Sequence, residues 1–82
     1  PSAASTLALS LYPNPATQTA TAETAQPTRL RIFDLAGRLV LTENTLLRTH
    51  RLDLSALVPG LYVVQATAAD GTATSQRLAV SK

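Results

Sequence analysis

The chain of 82 residues contains no cysteine, no methionine and no tryptophan. Without cysteine there is neither a disulfide nor thiol chemistry, so a hydrophobic core has to stabilise so small a domain. Without methionine, even at its first position, the sequence is expected to be a piece of a longer protein whose export signal lies upstream. Without tryptophan, an aromatic platform for carbohydrate has one candidate, Phe33, for which partial burial at a sheet edge is favoured.

Charge is also scarce and mixed in sign. Charged residues make up 15% and apolar residues 45% of the chain, and the net charge is +2, so a folded domain is expected rather than disorder. A nucleic-acid binder would carry a denser basic stripe with interleaved aromatics. No apolar run approaches the roughly 18 residues of a membrane span. The sequence therefore predicts one small domain with no nucleic-acid partner and no stable membrane insertion.

Residues with catalytic or metal-binding chemistry occur singly. The one histidine, His50, has no evident catalytic partner and is expected to be solvated at the start of a strand. Asp34, Asp53 and Asp70 lack the alternating spacing of a calcium loop, and the three glycines stand apart, so they form no phosphate-binding loop. The prediction is that the domain is not an enzyme and holds no cofactor or metal.

Alternation of apolar and polar residues predicts strands and no helix. Pro13 and Pro15 end the first strand, Pro27 ends a weak second strand, and a polar connection is expected over residues 44–49. The expected strands are about residues 5–12, 17–25, 29–35, 38–43, 50–54, 61–67 and 72–81. This spacing predicts an all-β fold, an Ig-like antiparallel β-sandwich of about seven short strands, with a small closed barrel as the alternative.

The alternation also assigns the inward faces and the turns. Asp34 and Gly37 are expected in one hairpin turn, Asp70 and Gly71 in a second, and Pro59-Gly60 in a type II turn. Leu57 is expected to close the base of the core. The residues predicted to point inward are Leu30, Ile32, Leu52, Leu54, Tyr62, Val64, Ala66, Leu78 and Val80.

Four landmarks follow one another along the chain. They are Tyr12-Pro13-Asn14-Pro15-Ala16, then Asp34-Leu35-Ala36-Gly37-Arg38, then Leu57-Val58-Pro59-Gly60-Leu61-Tyr62, and finally Leu78-Ala79-Val80-Ser81-Lys82. In this order, the chain resembles the type A C-terminal sorting domain of the type IX secretion system of Bacteroidetes. The resemblance covers about residues 9–82. It departs from the family in the Thr- and Ala-rich stretch 17–27 and in Arg77, where many relatives have lysine.

The resemblance implies a C-terminal secretion and sorting signal. Residues 1–6 would be a linker from the upstream passenger and residues 7–82 the sorting domain. The implied partners are the type IX translocon and its shuttle proteins, a sortase-like peptidase and the passenger, which would cross the periplasm to the outer-membrane surface or the medium. The implied recognition residues are Pro13, Asn14, Pro15, Gly37, Gly60, Tyr62, Arg77, Leu78, Val80 and Lys82.

Two hypotheses therefore stand beside each other at this point. The first is the sorting signal, with the last strand, from Arg77 to Lys82, as the exposed edge to which the machinery adds a strand. The second is a generic Ig-like binding or spacer module of a secreted multidomain enzyme. The landmark prolines and glycines also have plain structural roles, because prolines end strands and glycines permit turns.

Overall fold

The computed structural model describes residues 8–81, so the expected linker and Lys82 lie outside the described residues. Five strands account for most of this part of the chain, and none of it forms a helix that could cross a membrane. The strands are β1 (Leu9–Tyr12), β2 (Thr19–Asp34), β3 (Leu39–Asp53), β4 (Gly60–Ala68) and β5 (Ala73–Val80). They form a single sheet, and all pairs of neighbouring strands are antiparallel.

The long strand β2 organises the sheet. On one side it pairs with β3 over nearly its whole length. On its other side its first half pairs with β1, up to Thr24, and its second half pairs with β4, from Thr28 onward. Pro27 lies at the changeover between these partners, where the β2–β3 register also shifts. A missing N–H is tolerated there, because the ladder is already interrupted.

The sheet curls back on itself. Its strand order runs β1-β2-β4-β5, with β3 paired to the remaining side of β2. Just after β1, Ala16 forms an isolated parallel bridge with Val80 of β5. The two ends of the strand order therefore meet, and the curl encloses a core to which all five strands contribute.

The core contains all of the residues predicted to point inward. Leu30, Ile32, Leu54, Val64 and Leu78 are fully buried. Burial of their apolar surface stabilises the folded state by roughly 25 cal/mol per Å², and this is the main favourable contribution to folding. The other apolar residues of this core are Ala16, Ala20, Ala22, Leu52, Leu57, Tyr62, Ala66 and Val80, and Leu9, Leu11 and Leu41 pack against it.

Two hairpin turns have the same backbone pattern. In the first, Gly37 N–H donates to the Asp34 carbonyl at 3.0 Å, and Asp34 N–H donates to the Arg38 carbonyl at 2.9 Å. Gly37 has a φ of +89°, which a side chain would disfavour. In the second, Gly71 takes the same place with a φ of +92°. Both predicted turns are confirmed.

The strand count differs from the predicted seven, and an Ig-like sandwich is not confirmed. The predicted antiparallel all-β class is confirmed. Pro27 does not end a strand, because the ladder is already interrupted where β2 changes its partner from β1 to β4. Residues 44–49, predicted as a connection, lie inside β3, because pairing with the long β2 holds Thr49 opposite Glu23 and Leu47 opposite Thr28. Tertiary pairing overrides the weak local preference of these polar residues.

One turn prediction is also corrected. Gly60 is the first residue of β4 and has a φ of +154°, far from the roughly +80° of a type II turn. The chain instead reverses earlier, where Leu57 N–H donates to the Leu54 carbonyl at 3.0 Å. Leu57 is buried at the base of the core, as predicted.

Candidate functional site

The segment Tyr12-Pro13-Asn14-Pro15-Ala16 leads the chain from β1 across to β5. Tyr12 is the last residue of β1, and both X-Pro peptide bonds of the segment are cis. Partial desolvation, together with a hydrogen bond to Glu23 and its negative charge, raises the pKa of the Tyr12 hydroxyl. Pro13, Asn14 and Pro15 are exposed, whereas Ala16 is fully buried. The segment thus combines a surface motif with an anchor in the core.

The side chain of Asn14 binds the backbone of β5. Its Nδ2 donates to the Arg77 carbonyl at 3.0 Å, and its Oδ1 accepts from Ala79 N–H at 3.1 Å. A side-chain amide carries one donor group and one acceptor in the same arrangement as a peptide group. Asn14 therefore takes the place of a peptide unit in a strand beside β5.

Ala16 continues this contact with its own backbone. Its N–H donates to the Ala79 carbonyl at 2.8 Å, and its carbonyl accepts from Ser81 N–H at 2.7 Å. We call residues 14–16, which make these four hydrogen bonds, the β5 clasp. The clasp covers the outer edge of β5 from the Arg77 carbonyl to Ser81 N–H. The edge that the sequence suggested for strand addition is therefore largely occupied in this structure.

Tyr62 lies on the opposite side of β5 from the clasp, on β4. It pairs with Leu78 across the β4–β5 ladder and is buried. Its hydroxyl donates to the carbonyl of Val58, in the connection before β4. This bond satisfies the one polar atom of a core side chain and fixes the entry to β4, where Gly60 pairs with Val80.

The structure thus brings most of the predicted recognition residues together around β5. Asn14 contacts β5 directly. Within β5, Arg77 is exposed, whereas Leu78 and Val80 are buried. Gly37 lies apart, in the β2–β3 turn, and Lys82 lies outside the described residues. Sequence reasoning missed Ala16 and Ala79, whose backbone groups complete the clasp; no feature of two separate alanines could have indicated their pairing.

His50 departs from its prediction. It is buried on β3, 2% exposed, and its Nε2 donates to the Thr28 carbonyl at 2.6 Å. Its Nδ1 is buried without a partner among residues 8–81. Pairing of His50 with Ala22 turns the ring toward the inside of the sheet, so the histidine is part of the core rather than solvated.

Outside this region the described chain offers little that could do chemistry. A shallow cavity of about 160 Å³ on the outer face is lined by Arg29, Arg31 and Thr67. Within residues 8–81 no group of three or more histidine, cysteine or acidic residues could hold a metal ion. Hydrogen bonds from the Arg38 and Ala36 amides and the nearby Arg38 guanidinium lower the pKa of Asp34, which is engaged in its turn.

Comparison with known sequences decides the family. The family described as secretion system C-terminal sorting domain matches residues 10–81. This range includes the β5 clasp and all five strands, apart from Leu9, the first residue of β1. The chain belongs to this family. It is a sorting domain of type IX secretion, a signal carried by an exported protein.

A curated relative supports this assignment. The sorting domain is 27% identical over 74 residues to Beta-agarase D of Zobellia galactanivorans, and the match covers 90% of this chain. It covers only 15% of the relative, so the similarity is confined to one small part of that protein. Its organism fits the Bacteroidetes origin of the family.

Proposed function

We propose that this sorting domain directs an upstream passenger across the outer membrane, to the cell surface or the medium. Its partners would be the translocon, shuttle proteins and a sortase-like peptidase that removes the domain at or before residues 1–6, the expected linker. The family match carries this proposal. The passenger's own activity is not part of it, because the match covers only 15% of the agarase.

We further propose that the machinery recognises the folded domain at β5 and its clasp. The predicted recognition residues divide into three groups. Pro13, Asn14, Pro15 and Arg77 are exposed and available for direct contact. Lys82 lies outside the described residues and stays a predicted recognition residue. Tyr62, Leu78 and Val80 are buried, and they would act by holding β5 in place. Gly37, in the β2–β3 turn, and Gly60, at the start of β4, would act through the backbone.

A catalytic role is not proposed for the domain. Asp34 and Asp70 accept backbone hydrogen bonds in their turns, which favours a structural role for both. Of the described residues, Arg29, Arg31 and Thr67 line the cavity, and none of them is an acid, a histidine or another general base. A general acid–base pair would need two such groups around one substrate.

The experiment is a fusion of residues 1–82 behind a fluorescent protein with its own export signal, in a type IX-competent host. We expect fluorescence at the surface or in the medium. A second fusion lacking residues 78–82 is the matched control, and we expect it to remain in the periplasm. Periplasmic retention of the intact fusion would favour the alternative, a spacer module of a secreted enzyme.

A further inference from the structure

The backbone direction of each β5 residue follows from the ladder with β4. Ala68 N–H donates to the Thr72 carbonyl at 2.8 Å, which makes this a hydrogen-bonded pair at the start of the ladder. Hydrogen-bonded pairs alternate along antiparallel strands. The even-numbered β5 residues therefore bond β4, and the odd-numbered residues turn their backbone groups to the outer edge. The clasp bonds to Ala79 confirm this direction independently.

The clasp covers only the second half of this edge. In the first half, the outward groups are Arg77 N–H, both backbone groups of Ser75 and those of Ala73. Among residues 8–81 no strand pairs with this side of β5. Ala73, Ser75 and Arg77 are exposed. An edge with unpaired N–H and C=O groups is a template for one more strand.

The covered half is not a comparable template. Ala16 is fully buried in the core, and residues 14–16 form four hydrogen bonds with β5. Displacing the clasp would expose Ala16 and break these bonds. An incoming strand can therefore pair only with the open stretch at residues 73–77. This stretch ends where the part of the edge covered by the clasp begins.

We propose that the β5 edge at residues 73–77 is the docking site for an extended, acidic segment of the secretion machinery, which adds to the sheet as a strand. The proposal rests on the sorting function proposed above and names the partner for the same site. Backbone pairing supplies the contact, and the exposed Arg77 at the end of the open stretch selects an acidic side chain. The positive net charge of the chain, +2, acts in the same direction.

Proline substitutions at two adjacent residues test the backbone part. Ser75→Pro removes an N–H that points to solvent, so the fold is expected to survive. Gln76→Pro removes an N–H bonded to β4 and is expected to lower the melting temperature markedly. Ser75→Ala keeps the N–H and is the matched control. We expect Ser75→Pro alone to reduce surface delivery of the fusion about tenfold with an unchanged melting temperature, the effect of one lost backbone bond.

The outcomes separate the two proposals. If the unsubstituted fusion is not delivered, the sorting function itself fails. If it is delivered and Ser75→Pro is delivered equally well, the docking site is overturned while the sorting function stands. A Ser75→Pro variant that unfolds like Gln76→Pro would overturn the assigned backbone direction, and with it the site.

Hydrogen exchange of the 82-residue chain tests the open edge without secretion. We expect the Ser75 and Arg77 amides to exchange rapidly, and the Gln76 and Leu78 amides to be protected by β4. Protection of Ser75 and Arg77 would mean that residues 1–7 or a second copy occupies the edge, which overturns the proposal. Size-exclusion chromatography distinguishes these two occupants.

Charge reversal tests the choice of an acidic partner. Arg77→Glu changes the charge beside the open stretch, whereas Arg51→Glu makes the same change on β3. We expect the first to reduce delivery several-fold and the second to leave it unchanged. Equal effects would contradict an acidic strand at this edge.

Discussion

The Oδ1 atom of Asn14 accepts a hydrogen bond from the backbone N–H of Ala79 at 3.1 Å, although 65 residues separate them in the chain. With the bond from Nδ2 to the Arg77 carbonyl, this contact joins the first landmark of the sequence to the last. The two motifs therefore lie side by side in the fold. A side chain that imitates a peptide group holds the last strand of the sheet against the segment that follows the first.

The first prediction concerns this side-chain amide. Asn14→Asp preserves the shape and the acceptor but replaces the donor to the Arg77 carbonyl with an oxygen, and Asn14→Ala removes both bonds. We expect each substitution to lower the free energy of unfolding by about 1 kcal/mol, the net value of exposed hydrogen bonds. Urea denaturation measures this. Gln18→Ala, an exposed position after the clasp, is the control; an Asn14→Asp variant as stable as the unsubstituted chain would refute the role of the donor.

The second prediction concerns the hydroxyl of Tyr62. Tyr62→Phe keeps the buried ring and removes only the bond to the Val58 carbonyl. We expect a loss of about 1 kcal/mol, because the exposed Val58 can bind water instead. Tyr62→Ala also empties the core and is expected to cost roughly 3–5 kcal/mol. Thermal melts of both variants compare the two losses of stability. Similar losses would contradict a role for ring packing.

The third prediction concerns His50. Its Nε2 satisfies the buried carbonyl of Thr28, so a variant that keeps a donor there should be better tolerated than one that does not. We expect His50→Leu to lose roughly 1–3 kcal/mol through the unsatisfied carbonyl, and His50→Gln to lose less. Denaturant unfolding measures both. The opposite order would show that packing, not the hydrogen bond, determines the choice of residue.

The fourth prediction concerns acid stability. Backbone hydrogen bonds from Arg38 and Thr72 lower the pKa values of Asp34 and Asp70, respectively, below the ordinary 3.8. A carboxyl whose pKa is lower in the folded state stabilises the fold above its unfolded pKa, and this contribution is lost as the pH falls through the folded value. We expect the free energy of unfolding to decrease below about pH 4.

The matched test replaces both acids. An Asp34→Asn, Asp70→Asn double variant keeps the acceptor oxygens but cannot titrate, so its unfolding free energy should depend less on pH in this acid range. NMR titration of the two carboxyl groups gives the pKa values directly. Values at or above 3.8 for both would refute the assignment to the turn hydrogen bonds.

Sequence reasoning succeeded where the determining forces are local. Alternation identified the inward faces of β4 and β5, because side chains alternate across a strand whatever it pairs with. The turns at Asp34 and Gly37 followed from a short acceptor side chain and a residue that tolerates a positive φ. These features depend on a few neighbouring residues, all visible in the sequence.

It failed where pairing between distant segments decides. Pro27 looked like a strand end, yet β2 continues through it, because β1 and β4 share the same side of β2 and the ladder changes partner there. His50 was predicted to be solvated, but its pairing with Ala22 places its ring on the inner face of the sheet. The count of seven strands failed for the same reason, since β2 and β3 each join two segments that appeared separate.

The sequence by itself determined the β class, the faces of the core, the hairpin turns and the family, since composition, alternation and ordered motifs carry them. Only the tertiary structure decided what the motifs do for one another. Asn14 meets Ala79 because the sheet curls, and the curl depends on all of β2 and β4 packing around one core. The same curl covers one half of the β5 edge and leaves the other open.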